Sequence, residues 1–238
     1  MLTQIKLGEI TVDVIRKNIK NIHLSVYPPT GRVRISAPSR MNLDTIRVYA
    51  VSKLEWIKKQ QTKLRNQERE TQRDYVTRES HYFMGKRYLL KISETDSAPT
   101  VVLRHREIEL VIKKGADSEQ RRKLLEDWYR KQLRDKASTY IAFWEKQMNL
   151  NLAEFGIKKM RTKWGSCNRG AKRIWLNLEL AKKPKECVEY IVVHEMVHVM
   201  ERNHGTRFIA LMDRFLPQWR QYKEELNRLP IGHSNWRY

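Results

Sequence analysis

Three histidines and one glutamate have the types and spacing to do chemistry: His194, Glu195, His198 and His204, in the stretch Tyr190–Gly205. His194 and His198 are four residues apart, so on a helix both imidazoles leave one face about a turn apart and can grip one metal ion. Glu195 lies about 100° round the helix, within reach of a metal-bound water without being a ligand. This is the H-E-x-x-H arrangement of zinc hydrolases. A catalytic zinc needs a third protein ligand and an open fourth position. His204 is the first choice for that ligand, and Glu224 or Glu225 the competitor. The apolar flank Ile191, Val192, Val193, Val197 and Val199 marks the helix as buried. Two histidines and a glutamate there are costly unless something satisfies them. The alternatives to a metal are a hydrogen-bonded core pair or a degenerate remnant of a site.

The ligand set makes a geometric demand. In a straight helix, His204 would lie roughly 15 Å along the axis from His194, too far to share one ion. The chain must therefore bend after about Met200, with Asn203 or Gly205, both tolerant of left-handed backbone, making the turn.

The elements that hold these residues follow from the patterns around them. Residues 9–38 alternate like strands, broken at Pro28–Gly31 by turn chemistry, which predicts a hairpin. His23 there reads as a pairing or surface residue. A helix capped by Asn42 or Asp44 runs to about Asn66; residues 67–80 form a charged link. Strand-like segments follow at 82–92, with a turn at Gly85, and at 100–104 and 108–113. His81 and His105 beside them have no partner at ligand spacing. A long helix from Asp117 or Ser118 to Met148 carries Leu124, Leu125, Trp128, Leu133, Tyr140, Ile141 and Trp144 as its core stripe, its basic residues forming the solvated face or, as the alternative, a nucleic-acid stripe. Two short strands, 157–161 and 174–178, are joined through Thr162–Gly170. Pro184 opens the metal helix, and helices follow from about 206 to 215 and 218 to 229. Residues 231–238 read as a loose basic-aromatic tail. No internal repeat is visible.

Composition sets the outer limits. Lys and Arg number 48 against 27 Asp and Glu, a formal charge of +21. A field of that sign draws polyanions, nucleic acid among them. Two cysteines, Cys167 and Cys187, make no disulfide framework. Neither an 18-residue apolar run nor a signal core is present, so the expected location is cytoplasmic, without a membrane partner.

Arg161-Thr-Lys-Trp-Gly-Ser-Cys167, Trp175-Leu-Asn177, His194-Glu-Met-Val-His198 and Asn203-His204 occur in that order, with Trp56-Ile57 and Gly85-x-x-Tyr88 upstream. Together these residues resemble the YgjP-like predicted metal-dependent hydrolases, neighbours of the SprT-like and WLM metallopeptidases. The resemblance implies an α+β fold: an N-terminal β-rich region with one helix (1–115), joined to a minimal zincin-like domain (116–238) with a small sheet beside the metal helix. It implies His194, His198 and His204 as ligands, Glu195 as general base, and Trp164, Ser166 and Asn177 as cleft residues that bind substrate. The His198–His204 spacing equals that of metzincins, but Glu201 stands where their glycine turns the chain.

The expected cofactor is Zn²⁺, with Mn²⁺ or Ni²⁺ open on ligand type. Zinc would acidify a water, and Glu195 would take its proton. The expected activity is a zinc metallopeptidase whose substrate, a peptide or protein, adds as a strand to Arg161–Cys167 or Ile174–Leu178. A nucleotide phosphohydrolase is the alternative, with Arg161, Lys163 and Arg207 neutralising phosphates. A nucleic-acid binder with a structural metal is the third reading, and an intact Glu195 argues against it. Cys167 reads as a small buried residue, since no histidine beside it in sequence would activate it.

Overall fold

The computed structural model describes residues 2–27, 30–66, 73–160 and 163–230. The basic-aromatic tail, Arg161, and residues 67–72 of the charged link therefore lie outside the described residues. The described residues divide into two compact units, one before and one after the 69/70 boundary.

The first unit opens with a strand that the alternation after residue 9 does not suggest. β1 (Leu2–Leu7) pairs antiparallel with β2 (Ile10–Lys17). β3 (His23–Tyr27) and β4 (Arg32–Pro38) form the expected hairpin, and β4 runs parallel to β2, giving the order β1-β2-β4-β3. Period-two alternation puts Ile5, Val12, Val14, Val33, Ile35 and Ala37 on one face. There they pack with Ile46, Ala50 and Ile57 from the helical segment. That segment is two helices, α1 (Leu43–Ser52, capped by Asn42) and α2 (Leu54–Asn66), broken at Lys53. On the opposite face of the sheet Asp13 is buried and holds Arg32 at 2.5 Å. Burial pushes its carboxyl up, but bonds from Gln4 and Arg32 outweigh this and hold it below the usual range.

The second unit repeats that sheet. β5 (Ser80–Phe83), β6 (Lys86–Glu94), β7 (Thr100–Leu103) and β8 (Glu107–Ile112) adopt the order β5-β6-β8-β7, with the same sequence of antiparallel, parallel and antiparallel pairings. The repeat is topological and leaves little trace in sequence. Aligned on their central parallel pairs, Asp13 opposite Arg34 corresponds to Lys91 opposite Glu109. Opposite charges face each other in both sheets with the sign exchanged; Lys91 bonds Glu109 at 3.2 Å, whereas Asp13 is bonded by Arg32, two residues before Arg34. The β5–β6 turn carries positive φ at both Met84 and Gly85, the two-residue hairpin geometry.

This sheet belongs with the metal-binding half. Leu90, Ile108, Leu110 and Ile112 enter one core with Leu125, Tyr129, Leu133, Ala137, Ile141 and Trp144 of α3 (Ser118–Met148). The contact division consequently falls at 69/70, ahead of the 115/116 boundary expected from the motifs. Helix α3 starts at a full capping box between Asp117 and Gln120 and ends at a left-handed Asn149. Its charges are largely self-paired, Arg122 with Glu119 and Glu126, Arg130 with Asp127, Lys131 with Asp135. They make a solvated face.

A three-stranded sheet follows: β9 (Glu154–Lys158), β10 (Gly165–Asn168) and β11 (Arg173–Asn177), in the order β10-β11-β9. Beyond it come a 3₁₀ turn (Leu178–Lys182), α4 (Lys185–Met200), α5 (Thr206–Phe215) and α6 (Trp219–Arg228). The architecture is α+β, with a small sheet beside the helix that carries the histidines. Among the described residues, no helix is long and apolar enough to cross a membrane.

Candidate metal centre

Helix α4 is apolar nearly all round, with Cys187, Val188, Tyr190, Ile191, Val192, Val193, Met196, Val197 and Val199 buried. Such a helix must sit inside the domain, and its start is fixed from outside. Pro184 occupies the N-cap. The tip of the β5–β6 hairpin docks beside it, Met84 N–H donating to Ala181 O at 2.9 Å and Gly85 N–H to Lys182 O at 3.2 Å. A Cβ at Gly85 would fall 2.9 Å from the Pro184 ring, and φ there is +79°. Both facts require glycine.

The helix stops at Met200, as the ligand geometry demands, but the turn is not left-handed. Glu201 caps the helix in extended conformation (φ −132°, ψ 120°), Gly205 is extended at φ −80°, and Asn203 is absent from the residues with positive φ. An extended residue after Met200 redirects the chain without a glycine, which explains how Glu201 can stand at the metzincin glycine position. Arg169 donates to Met200 O at 3.0 Å and ties the β10–β11 loop to the helix end.

The bend brings the histidines together. His204 Nε2 lies 3.1 Å from His198 Nε2 and 3.2 Å from His194 Nε2, and all three nitrogens fall within 4.8 Å of one another. Three imidazole nitrogens at about 2.0–2.1 Å from one tetrahedral ion stand roughly 3.3 Å apart, so the set fits zinc. His198 Nδ1 lies 3.0 Å from Glu201 O; an N–H there presents Nε2 as the ligand atom. His194 Nδ1 is buried with no hydrogen-bond partner; Tyr190 and Phe208 hold its ring by aromatic edges, with centroids at 5.8 and 5.0 Å. Burial, and then the neighbouring His198 and His204, push His194 down to about 3. Burial and His198 also lower His204, with Lys223 adding to the effect. Both are neutral at pH 7, the state a metal ligand requires. Neither Glu224 nor Glu225 belongs to the cluster.

Glu195 is 5% exposed and makes no hydrogen bond among the described residues. Burial raises its carboxyl to about 7, against a downward pull from Lys163. A buried, unbonded carboxylate with that affinity for a proton fits a general base. Strand β10 presses against it: a Cβ at Gly165 would come within 2.6 Å of Glu195 Oε1.

The remaining sequence candidates take different places. Trp164 is half-buried, its ring under Lys183 Nζ at 5.8 Å, and its carbonyl accepts from Asn177 N–H at 2.8 Å. Ser166 lies cross-strand from Trp175, on the sheet face opposite to Gly165. Asn177 is buried and its amide is committed to main chain. It donates to Met160 O and Lys163 O and accepts from Met160 and Glu179 N–H. It thereby clamps the loop that leads into β10. The Cys167 thiol is driven up to about 11 by burial and by Glu195, which leaves it protonated at neutral pH. Ile174–Leu178 cannot be the free edge, because β11 is the central strand; the edge beside α4 is β10.

Sequence reasoning missed Phe208, whose buried ring lies 4.7–5.0 Å from all three imidazoles. Its signal was its position four residues after His204, at the start of an amphipathic helix. Lys223, whose charge is felt at His194 and His204, gave no signal.

A search of curated proteins finds no match. Among solved structures, the metallopeptidase zymogen jannalysin of Methanocaldococcus jannaschii aligns at 21% identity, over 40% of this chain and 92% of its own, with a TM-score of 0.33. The zymogen abylysin of Pyrococcus abyssi aligns at 14% identity, over 42% and 99%, with a TM-score of 0.34. The family described as "YgjP-like, metallopeptidase domain" matches residues 20–229, nearly the whole chain, around a three-histidine site with a buried glutamate. The chain belongs to the YgjP-like metallopeptidase-domain family.

Proposed function

We propose that this chain is a zinc-dependent peptidase in which His194, His198 and His204 hold the ion and Glu195 is the general base. The contact between Gly165 and Glu195 carries the reading. It sets the free edge of β10 beside the base, so an extended peptide added to that edge lays a scissile bond along it. Three neutral imidazoles would hold a divalent ion whose Lewis acidity would draw the pKa of a water towards neutrality. Glu195 accepts the proton of the attacking water and delivers it to the leaving amine. Phe208 and Tyr190 fix the rings, which keeps the ligand nitrogens converged. Asn177 sets the loop before β10; the main-chain groups of Trp164 and Ser166 pair towards β11, so the free edge offers a substrate the main chain of Gly165 and Cys167 and the side chains of Trp164 and Ser166. Zinc-loaded wild type and Glu195→Gln, compared on a mixed peptide library, test this. Cleavage by wild type alone supports it, and equal cleavage by both removes Glu195 from its role.

A second reading, hydrolysis of a nucleotide phosphate, is favoured by one observation: Lys163 acts on Glu195 and Lys223 on two of the histidines. Those cations would meet a substrate's negative charge. Arg207 is turned to Glu201 at 3.9 Å, and Arg161 lies outside the described residues. Phosphate or pyrophosphate release from nucleoside triphosphates, present in wild type and lost in Glu195→Gln, would select this reading. The polyanion field is strongest in residues 1–69, with fourteen Lys and Arg against five Asp and Glu. That supports nucleic acid as a recruiting surface for either activity, read as salt-dependent binding.

A further inference from the structure

Between the end of β8 and the first turns of α3 runs a cleft of about 530 Å³, lined by residues of the second unit alone. Pro99, Ile112 and Leu124 contribute apolar walls, and Lys113, Lys114 and Lys123 stand around them. The loop that carries the first two lysines is turned by Gly115 at φ +78° and closed by Ala116 N–H donating to Lys113 O at 3.2 Å.

Three lysines gather here around one apolar cleft. On α3, Arg122, Arg130 and Lys131 each find an acid three or four residues away. Lys123 has such an acid in Glu119, but that carboxylate is bonded to Arg122. Asp127, the one acid in the cleft wall, is turned to Arg130 at 2.7 Å. Among the described residues, none of the three lysines makes an ion pair. At the start of α3, Asp117 and Gln120 cap each other's main-chain N–H groups. Three ammonium groups around one apolar cleft repel each other unless an anion comes between them.

We propose that this cleft binds a small amphipathic anion. Its aliphatic or aromatic body lies on Pro99, Ile112 and Leu124, and its carboxylate or phosphate lies among Lys113, Lys114 and Lys123. The size and the mix of apolar wall with few charged groups match ligand pockets in general. The site uses no residue of the metal centre.

The test titrates the full chain with octanoate, octyl phosphate and octanol, followed by calorimetry and by amide shifts of residues 112–124. Saturable one-to-one binding of either anion, with none for octanol, is expected. Binding by octanoate alone assigns a carboxylate ligand, by octyl phosphate alone a phosphate ligand, and by both a general anion site. The triple substitution Lys113→Ala, Lys114→Ala, Lys123→Ala changes only exposed side chains and should weaken binding at least about tenfold. Leu124→Asn should weaken it while leaving its salt dependence intact. Glu195→Gln should bind as wild type does. Absence of saturable binding for both anions up to about 10 mM, or unchanged affinity in the triple variant, overturns the proposal.

Discussion

Gly165→Ala is the sharpest probe of how β10 and Glu195 act together. An added Cβ would lie 2.6 Å from Glu195 Oε1, 2.7 Å from Cγ and 2.9 Å from Cδ. Ordinary contact begins near 3.4 Å, so the carboxylate oxygen must retreat by about 0.8 Å and the whole side chain must rotate with it. The backbone at Gly165 is not left-handed, so alanine meets no φ penalty there. The cost in stability is that of moving one buried side chain, about 1–3 kcal/mol. A base displaced by that distance should lose about 10²-fold in kcat/KM. The assay pairs peptide hydrolysis with zinc content and thermal melting on the same preparation. Normal zinc, a normal melt and activity within about threefold of wild type would refute a Glu195 that works from this position. Gly156→Ala is the control. Its Cβ would fall 2.3 Å from the Trp175 ring, so it should lower the melting temperature and report on packing.

Glu195→Gln should retain zinc while losing about 10²–10⁴-fold in kcat, measured beside metal content. His204→Ala should sharply lower zinc occupancy by atomic absorption; normal occupancy would shift the third ligand elsewhere. Leu133→Ala, at a fully buried position of α3, should cost about 2–5 kcal/mol in urea unfolding. Glu109 titrates near 2 because Ser93, Arg104 and Lys91 all bond to its carboxylate. Its folded value is depressed, so its stabilisation is complete above the ordinary value of 4.5 and disappears as pH falls towards 2. Glu109→Gln should therefore flatten the acid limb of stability against pH between those values.

The metal centre was legible because its chemistry is local. His194, Glu195 and His198 share one helical turn, and the impossibility of reaching His204 along a straight helix located the bend at Met200. How the chain turns was not legible, since an extended Glu201 serves as well as a left-handed glycine. The break at Lys53 and the strand at Leu2–Leu7 escaped notice for a related reason: propensity and alternation are weak where tertiary contacts decide. Arg161–Cys167 stood as one of two candidate edges, but the bounds of β10 were hidden in a stretch of Gly, Ser and Asn that reads as turn chemistry. What makes it a strand is pairing with β11, a non-local fact. The place of the second sheet could not be read because strand patterns show which face is apolar and not which core receives it. Lys223 came to the histidines through the folding of α6, which no spacing rule anticipates.

The two matched sheets raise a question of mistaken pairing during folding. Each central pair is parallel, so neither can be closed by its own short hairpin, and each strand waits for a partner distant in sequence. With equal order and register, β2 could accept β8, or β6 accept β4. The exchanged signs oppose both errors: the first would set Asp13 against Glu109, the second Lys91 against Arg34, like charge facing like in a sheet centre. Each sheet thus carries a label that only its own partner satisfies. Reversing one pair, with Lys91→Asp and Glu109→Arg, would give both sheets the same label. Refolding yield should fall in that variant by more than its folded stability does.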